Sequence, residues 1–147
     1  MLTAMAHPPG DLPLSGGCLC GGVRFEVTEQ PISASYCHCT RCQRRTGGGS
    51  SAQARVVPGS VRVLSGAELV RVWEPPDGYG KAFCSVCGSA LWSVAPGEDT
   101  PAGVRFSAFD DDPGVRPSYR TYTAYAAYWE PIPDDGLTRY PEPLPPS

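Results

Sequence analysis

Apolar and polar side chains alternate along much of this chain. Val23, Phe25 and Val27 are separated by Arg24 and Glu26, the period-two signature of a strand with one buried face. The same reading predicts strands at Ser33 to Tyr36, Ser51 to Val57, Val61 to Leu64, Leu69 to Trp73, Lys81 to Phe83, Ala90 to Val94, Val104 to Phe109 and Tyr119 to Tyr125. Pro58-Gly59, Ser65-Gly66, Pro75 to Gly78 and Asp111 to Gly114 separate several of them. One helical turn is predicted between Thr40 and Thr46, with Thr40 capping its start and Gly47 ending it. The expected class is therefore all-β, built from small antiparallel sheets with short helical turns.

Composition supports that reading. Seventeen glycines and seventeen prolines in 147 residues leave little room for long helices. The length suits one domain. We place it at residues 16–140, between an N-terminal tail over residues 1–15 and a proline-rich C-terminal tail over residues 141–147, extended or disordered. A formal charge of -3 argues against broad nucleic-acid binding, which draws its affinity from neutralised phosphates. No basic start followed by an apolar run marks a secretory signal, and no stretch reaches the length of a membrane span. The expectation is a cytoplasmic protein with no membrane or nucleic-acid partner. Thiols stay reduced in that compartment, so clustered cysteines read as metal ligands rather than disulfides.

All seven cysteines fall in three clusters: Cys18-Leu19-Cys20, Cys37-His38-Cys39-Thr40-Arg41-Cys42 and Cys84-Ser85-Val86-Cys87. Cys84-x-x-Cys87-Gly88 has the spacing of a zinc knuckle and needs a second pair of ligands. Cys18 and Cys20 supply it, because alternate residues of an extended segment point the same way. Gly21-Gly22 gives the turn that re-aims the two thiols away from the parity of the strand that follows. Closing a loop of about sixty residues costs chain entropy, but structural zinc contributes roughly 10 to 16 kcal/mol, so the metal term wins. Four thiolates close a structural zinc site. Cys37, Cys39 and Cys42 then form a second site with three thiolates and an open position, the pattern of a catalytic zinc.

The fourth position of that site is left to His38, water, a distant ligand or substrate. His38 alternates with Cys37 and Cys39 and is expected to point away. A Cys/His nucleophilic dyad has little support, since His7 and His38 are the only histidines. Arg41, Arg44 and Arg45 flank the trio, either as a solvated helix face or as holders of a carboxylate-bearing substrate. Tyr36, Trp73, Trp92, Phe106 and Phe109 read mainly as core, and outward members of the run Tyr119, Tyr122, Tyr125, Tyr128 and Trp129 as a possible cleft wall.

These motifs resemble the glutathione-dependent formaldehyde-activating enzyme family, whose domain is shared with centromere protein V. The matching text is Gly17-Cys18-Leu19-Cys20-Gly21-Gly22-Val23-Arg24-Phe25, Tyr36-Cys37-His38-Cys39-Thr40-Arg41-Cys42 with Thr46-Gly47, and Phe83-Cys84-Ser85-Val86-Cys87-Gly88-Ser89-Ala90-Leu91, with a weaker match at Asp134-Asp135-Gly136-Leu137. The resemblance implies a β-tent, or Mss4-like, zinc-binding fold. It implies a structural zinc on Cys18, Cys20, Cys84 and Cys87, and a catalytic zinc on Cys37, Cys39 and Cys42. It also implies carbon-sulfur lyase chemistry that joins a thiol such as glutathione to a small aldehyde such as formaldehyde. Gln43, Tyr122 and Gly48-Gly49-Ser50 depart from the family pattern around the presumed pocket. The contrasting reading is a non-catalytic zinc module that binds a protein partner, in which the three-cysteine site is closed or dispensable and the exposed aromatics form a flat patch.

Overall fold

The computed structural model describes residues 10–144; residues 1–9, with His7 and most of the assigned N-terminal tail, and residues 145–147 lie outside it. Eleven strands and one α-helix are formed among the described residues: β1 (Leu14–Gly17), β2 (Arg24–Val27), β3 (Ser33–Cys37), α1 (Thr40–Thr46), β4 (Ser51–Arg55), β5 (Val61–Ser65), β6 (Val70–Trp73), β7 (Gly80–Cys84), β8 (Ala90–Val94), β9 (Pro101–Arg105), β10 (Tyr119–Thr121) and β11 (Thr138–Arg139). The fold is mostly β-sheet, and α1 makes it not strictly all-β. A three-stranded sheet runs in the order β1-β2-β5, and an eight-stranded sheet in the order β11-β10-β3-β4-β9-β8-β7-β6.

The expectation of purely antiparallel sheets is corrected at one edge. β10 runs parallel to both β3 and β11. The reason is topological: residues 106–118 carry the chain from the end of β9 back to the end at which β9 began, and a return of that length delivers a parallel strand. Two predicted strands are also shorter. Phe106–Ala108 turns into a 3-10 helix closed by the Phe109 amide on the Phe106 carbonyl, which brings the Phe106 and Phe109 rings edge-to-face. After Thr121 the chain turns at Tyr122, whose φ of 56° is left-handed, into a 3-10 helix over Thr123–Tyr125.

Both assigned tails take part in the fold. β1 begins at Leu14, and the Gly10 amide donates to the Asp112 carbonyl. At the other end, Tyr140, Pro141 and Glu142 accept hydrogen bonds from the amides of Thr123, Ala124 and Tyr122. Proline lacks a donor but keeps its carbonyl, so a proline-rich stretch can still serve as an accepting strap.

Cross-strand register gives the large sheet two chemically different faces. One row across it reads Ala82, Trp92, Val104, Ala54, Ala34, each directly opposite the next. These residues are buried and form an apolar face. The three-stranded sheet covers it, with Phe25 fully buried and its ring 5.5 Å from that of Trp92, edge-on. Burial of such a ring stabilises by about 1.5–3 kcal/mol. Gly16 is needed at this junction, since a Cβ there would lie 2.4 Å from both the Ala108 carbonyl oxygen and the Phe25 ring. Shifting one residue along each strand gives the opposite face: Lys81, Ser93, Gln53, Arg105, Ser35, Ser51 and Cys37. It is polar.

Helix α1 packs on that polar face. Arg41 lies over the Trp73 ring and Arg45 over the Phe83 ring, both rings on the Lys81 side of the sheet. Trp73, expected in the core, is instead 45% exposed, because β6 is an edge strand; the Arg41 guanidinium lies over its ring. Trp92 is core as expected, while Tyr36, Phe106 and Phe109 are partly buried.

Candidate functional site

The seven thiols gather into two groups, one joining two distant segments of the chain and one formed within a single six-residue run. Cys18, Cys20, Cys84 and Cys87 place their sulfurs within 4.8 Å of one another, as do Cys37, Cys39 and Cys42. All seven are free of disulfides.

The four-thiol group sits at the apolar face. Cys84 follows Ala82 on the buried side of β7 and has no solvent exposure. The Gly88 amide bonds to the Cys84 carbonyl and the Cys84 amide to the Ser89 carbonyl, which fold Cys84 to Ser89 into a knuckle. On the facing loop the Gly21 amide bonds to the Cys18 carbonyl, and the Val23 amide donates to the Cys18 sulfur at 3.2 Å. Sulfur separations are 3.5 Å for Cys18 to Cys20 and 3.9 Å for Cys20 to Cys84. Hydrogen bonds from the Ser89 hydroxyl and the Ser89 amide hold Cys87 down at about 5. The Gly22 amide also favours a Cys20 thiolate, but the crowd of neighbouring sulfurs outweighs it and raises Cys20 to about 11. Four donors that cannot all ionise together, with sulfurs within 4.8 Å of one another, form a set that could hold a metal cation.

The three-thiol group sits on the other side of the large sheet. Cys37 is the last residue of β3, on its polar face, and Cys42 is the buried residue of α1. Cys39 is the N-cap of α1, its sulfur accepting from the Cys42 amide at 3.3 Å; the cap is Cys39 rather than Thr40, because the sulfur is what reaches that amide. Gly47 ends the helix with φ 69°, as its position predicts. Bonds from Cys37 and Cys42 push Cys39 far below the ordinary thiol range, and the same sharing pushes Cys37 and Cys42 up. The donors thus compete for one negative charge, again the condition that a bound cation relieves.

His38 is not part of either group. It is 4% exposed, and its Nε2 lies 3.1 Å from Nη1 of Arg120. Arginine only donates, so Nε2 accepts and the ring proton sits on Nδ1. Burial and the Arg120 charge lower the His38 pKa and keep it neutral. Arg120 also stacks at 4.3 Å on Tyr36 and pairs with Asp135 at 2.6 Å. The weak Asp134-Asp135-Gly136-Leu137 match is therefore a structural clasp, Asp135 also accepting from the Leu137 amide.

The three arginines of α1 separate. Arg41 is taken up by Asp77, through its carboxylate at 2.6 Å and its carbonyl at 2.5 Å. Arg44 is exposed. Arg45 turns toward the sheet, over Phe83, and its Nε is buried without a partner. Gln43 donates to the His38 and Tyr125 carbonyls at 2.8 Å each and so fastens the helix to both neighbouring segments. Tyr122 comes close enough to Cys37 and Cys39 that burial and those sulfurs raise its pKa.

Lys81 and Arg105 were not singled out by the sequence reading. Both lie within electrostatic reach of Cys37, Cys39 and Cys42, and burial lowers the pKa of each. Parity placed them opposite Ala82 and Val104, and hence on a polar face; only the docking of α1 turns that face inward. A separate concavity of about 400 Å3 lies on the four-thiol side, between Gly17 to Leu19 and Ser107 to Asp110. Its charged wall is already neutralised by the Arg24–Asp110 pair.

The profile of the glutathione-dependent formaldehyde-activating enzyme family matches residues 13–125, most of the chain. This chain is a member of that family. A Halomonas elongata protein described as a putative glutathione-dependent formaldehyde-activating enzyme is 36% identical over 89 residues, 56% of this chain and 57% of the relative. The chain thus aligns with a little over half the length of that curated relative. The crystal structure of a Rhodobacter sphaeroides protein superposes with a TM-score of 0.53 at 25% identity, over 86% of this chain and 99% of the other. The two cysteine groups provide donor sets that suit metal ions.

Proposed function

We propose that the chain is a zinc-dependent enzyme of the carbon-sulfur lyase type, joining and in reverse cleaving a glutathione-like thiol and a small aldehyde such as formaldehyde. The observation that carries this reading is the open three-thiol group: Cys37, Cys39 and Cys42 converge on a charged face, with His38 turned away to Arg120. Cys18, Cys20, Cys84 and Cys87 form the closed structural zinc site, and the two-sheet frame around it is read as the β-tent.

A zinc ion held by the three thiolates would lower the pKa of an added thiol from its free value of about 8.5, so that a thiolate is present at neutral pH. In the net reaction the thiol gives up its proton, sulfur bonds to the carbonyl carbon, and the carbonyl π pair takes a proton to become a hydroxyl. Cys39 fixes the start of α1 and the metal-binding sulfurs in one piece, since the same atom caps the helix. Arg41, Arg44 and Arg45 were expected at the substrate; of these Arg45 faces the site and Arg41 is engaged by Asp77. Seven unpaired thiols are best preserved in a reducing compartment, which supports a cytoplasmic location.

Zinc content before and after mild chelation, measured beside glutathione–formaldehyde exchange by NMR, tests the proposal. One labile and one retained zinc, with exchange accelerated by the loaded protein, are expected. Two inert zincs without exchange above background would overturn it and favour a binding module, whose tips Leu19 and Val86 are 88% and 66% exposed.

A further inference from the structure

Three cations of the polar face lack a carboxylate. Among the described residues Arg45, Lys81 and Arg105 form no salt bridge. Arg105 is only 5% exposed, and its one side-chain hydrogen bond is donated to the neutral Oε1 of Gln53. Each of the three lies within electrostatic reach of Cys42, and Arg105 within reach of both Arg45 and Lys81. Like charges brought together away from water cost free energy unless an anion offsets them.

The thiols do not offset them fully. Three thiolates balance three cations, but a divalent metal among the thiolates leaves two positive charges over. One negative charge is supplied by a substrate thiolate. The second is not supplied by any carboxylate paired with Arg45, Lys81 or Arg105 among the described residues, and two polar atoms on this face are also unsatisfied. Arg45 Nε is buried without a hydrogen-bond partner, and so is Oγ of Ser51, a residue 2% exposed and directly opposite Cys37 on the adjacent strand. Excess positive charge and unused donors on one face are the complement of a carboxylate.

We propose that Arg45, Lys81 and Arg105, with the Ser51 hydroxyl, form a seat for a carboxylate carried by the thiol substrate, so that the site selects acidic thiols over neutral ones. The inference rests on reading the three-thiol group as a thiol-binding metal site. It moves substrate recognition from the exposed side of α1 to the sheet beneath it. Arg41 and Arg44 then act only peripherally.

The test is calorimetric titration of the zinc-loaded full chain with 3-mercaptopropionate and 3-mercaptopropionamide, which share a skeleton and differ in charge. The acid is expected to bind about tenfold tighter or better, the size of one charge-assisted contact. Lys81→Met should narrow the ratio several-fold while amide affinity and zinc content stay unchanged, and Lys81→Arg should restore the preference. Arg105→Met is expected to act in the same direction, and Lys81→Met carries the test if that buried change prevents folding. Equal affinities in the wild type, or an undiminished preference in Lys81→Met, overturn the seat while leaving the thiol site standing. Loss of zinc from Lys81→Met overturns it too, by showing that the cations serve the cysteine thiolates. If neither thiol binds, the thiol-site reading falls and takes the seat with it.

Discussion

Cys84 and Cys37 lie on opposite faces of one sheet, and the difference between them separates two uses of the same side chain. Cys84 follows Ala82 on the apolar face and belongs to the buried cluster that contains Phe25, Trp92 and Val104. Cys37 lies among Ser35, Ser51 and Gln53, with Lys81 and Arg105 within electrostatic reach. A thiol group anchored in the core through Cys18 and Cys84 ties two sheets together. One enclosed by cations and unsatisfied donors is arranged to receive something charged. The four donors of the first and the three of the second agree with that contrast, because a closed set has no position to offer and an open set does.

The contrast is tested most severely by serine at one cysteine of each group. Cys84→Ser is expected to abolish cooperative folding, since metal-linked stabilisation on the order of 10 kcal/mol is comparable to the whole stability of a domain. Cys39→Ser is expected to leave the thermal midpoint within a few degrees, because serine is itself a good N-cap and keeps the start of α1, while one zinc equivalent and all exchange activity disappear. Equal losses of stability in differential scanning calorimetry would dissolve the distinction.

A smaller effect is expected where the polar face is clasped at its β10 edge. Arg120→Met leaves Asp135 without its partner and His38 without its donor, and should lower the thermal midpoint by several degrees with zinc stoichiometry intact. Loss of zinc in that variant would instead tie the clasp to the three-thiol site. Smaller again is the strain at Tyr122. Tyr122→Gly should be more stable than Tyr122→Ala by about 1 kcal/mol in chemical denaturation, since only glycine adopts the left-handed backbone freely. No difference between them would remove strain from the account.

The weakest effect concerns acid. Hydrogen bonding to Arg24 lowers the pKa of Asp110, and hydrogen bonding to Arg120 lowers that of Asp135. A folded pKa below the unfolded one means stabilisation that is full above the unfolded value of about 3.9 and is lost as pH falls through the folded value. Stability followed from pH 6 downward should therefore decline below about pH 4, and Asp110→Asn should reduce that decline. An unchanged slope in this variant would show that the pair on the four-thiol side contributes nothing measurable, as exposed pairs often do.

Much of this arrangement was legible along the chain. Period-two alternation located nine of the eleven described strands because a half-buried strand must alternate; it missed β1 and β11 and failed at Phe106 and Tyr122, where aromatic residues with strand propensity are drawn into 3-10 turns by packing and a left-handed residue. Parity turned His38 away from Cys37 and Cys39, and Arg120 receives it there. The tails were harder to judge. Proline-rich sequence has few donors of its own, and nothing local shows that Pro141 will accept from Ala124.

What the sequence determined by itself is the division of seven thiols into four and three, because the spacing inside each cluster constrains how its sulfurs point and leaves the first and last clusters, far apart in the chain, to complete one set. Only the tertiary structure decided what surrounds each group. Lys81, Arg105 and Ser51 come from three strands far apart in sequence, and cross-strand register together with the docking of α1 brings them to one face. Alternation tells which residues share a side of a strand, but whether that side meets water, a core or a helix depends on contacts between distant segments.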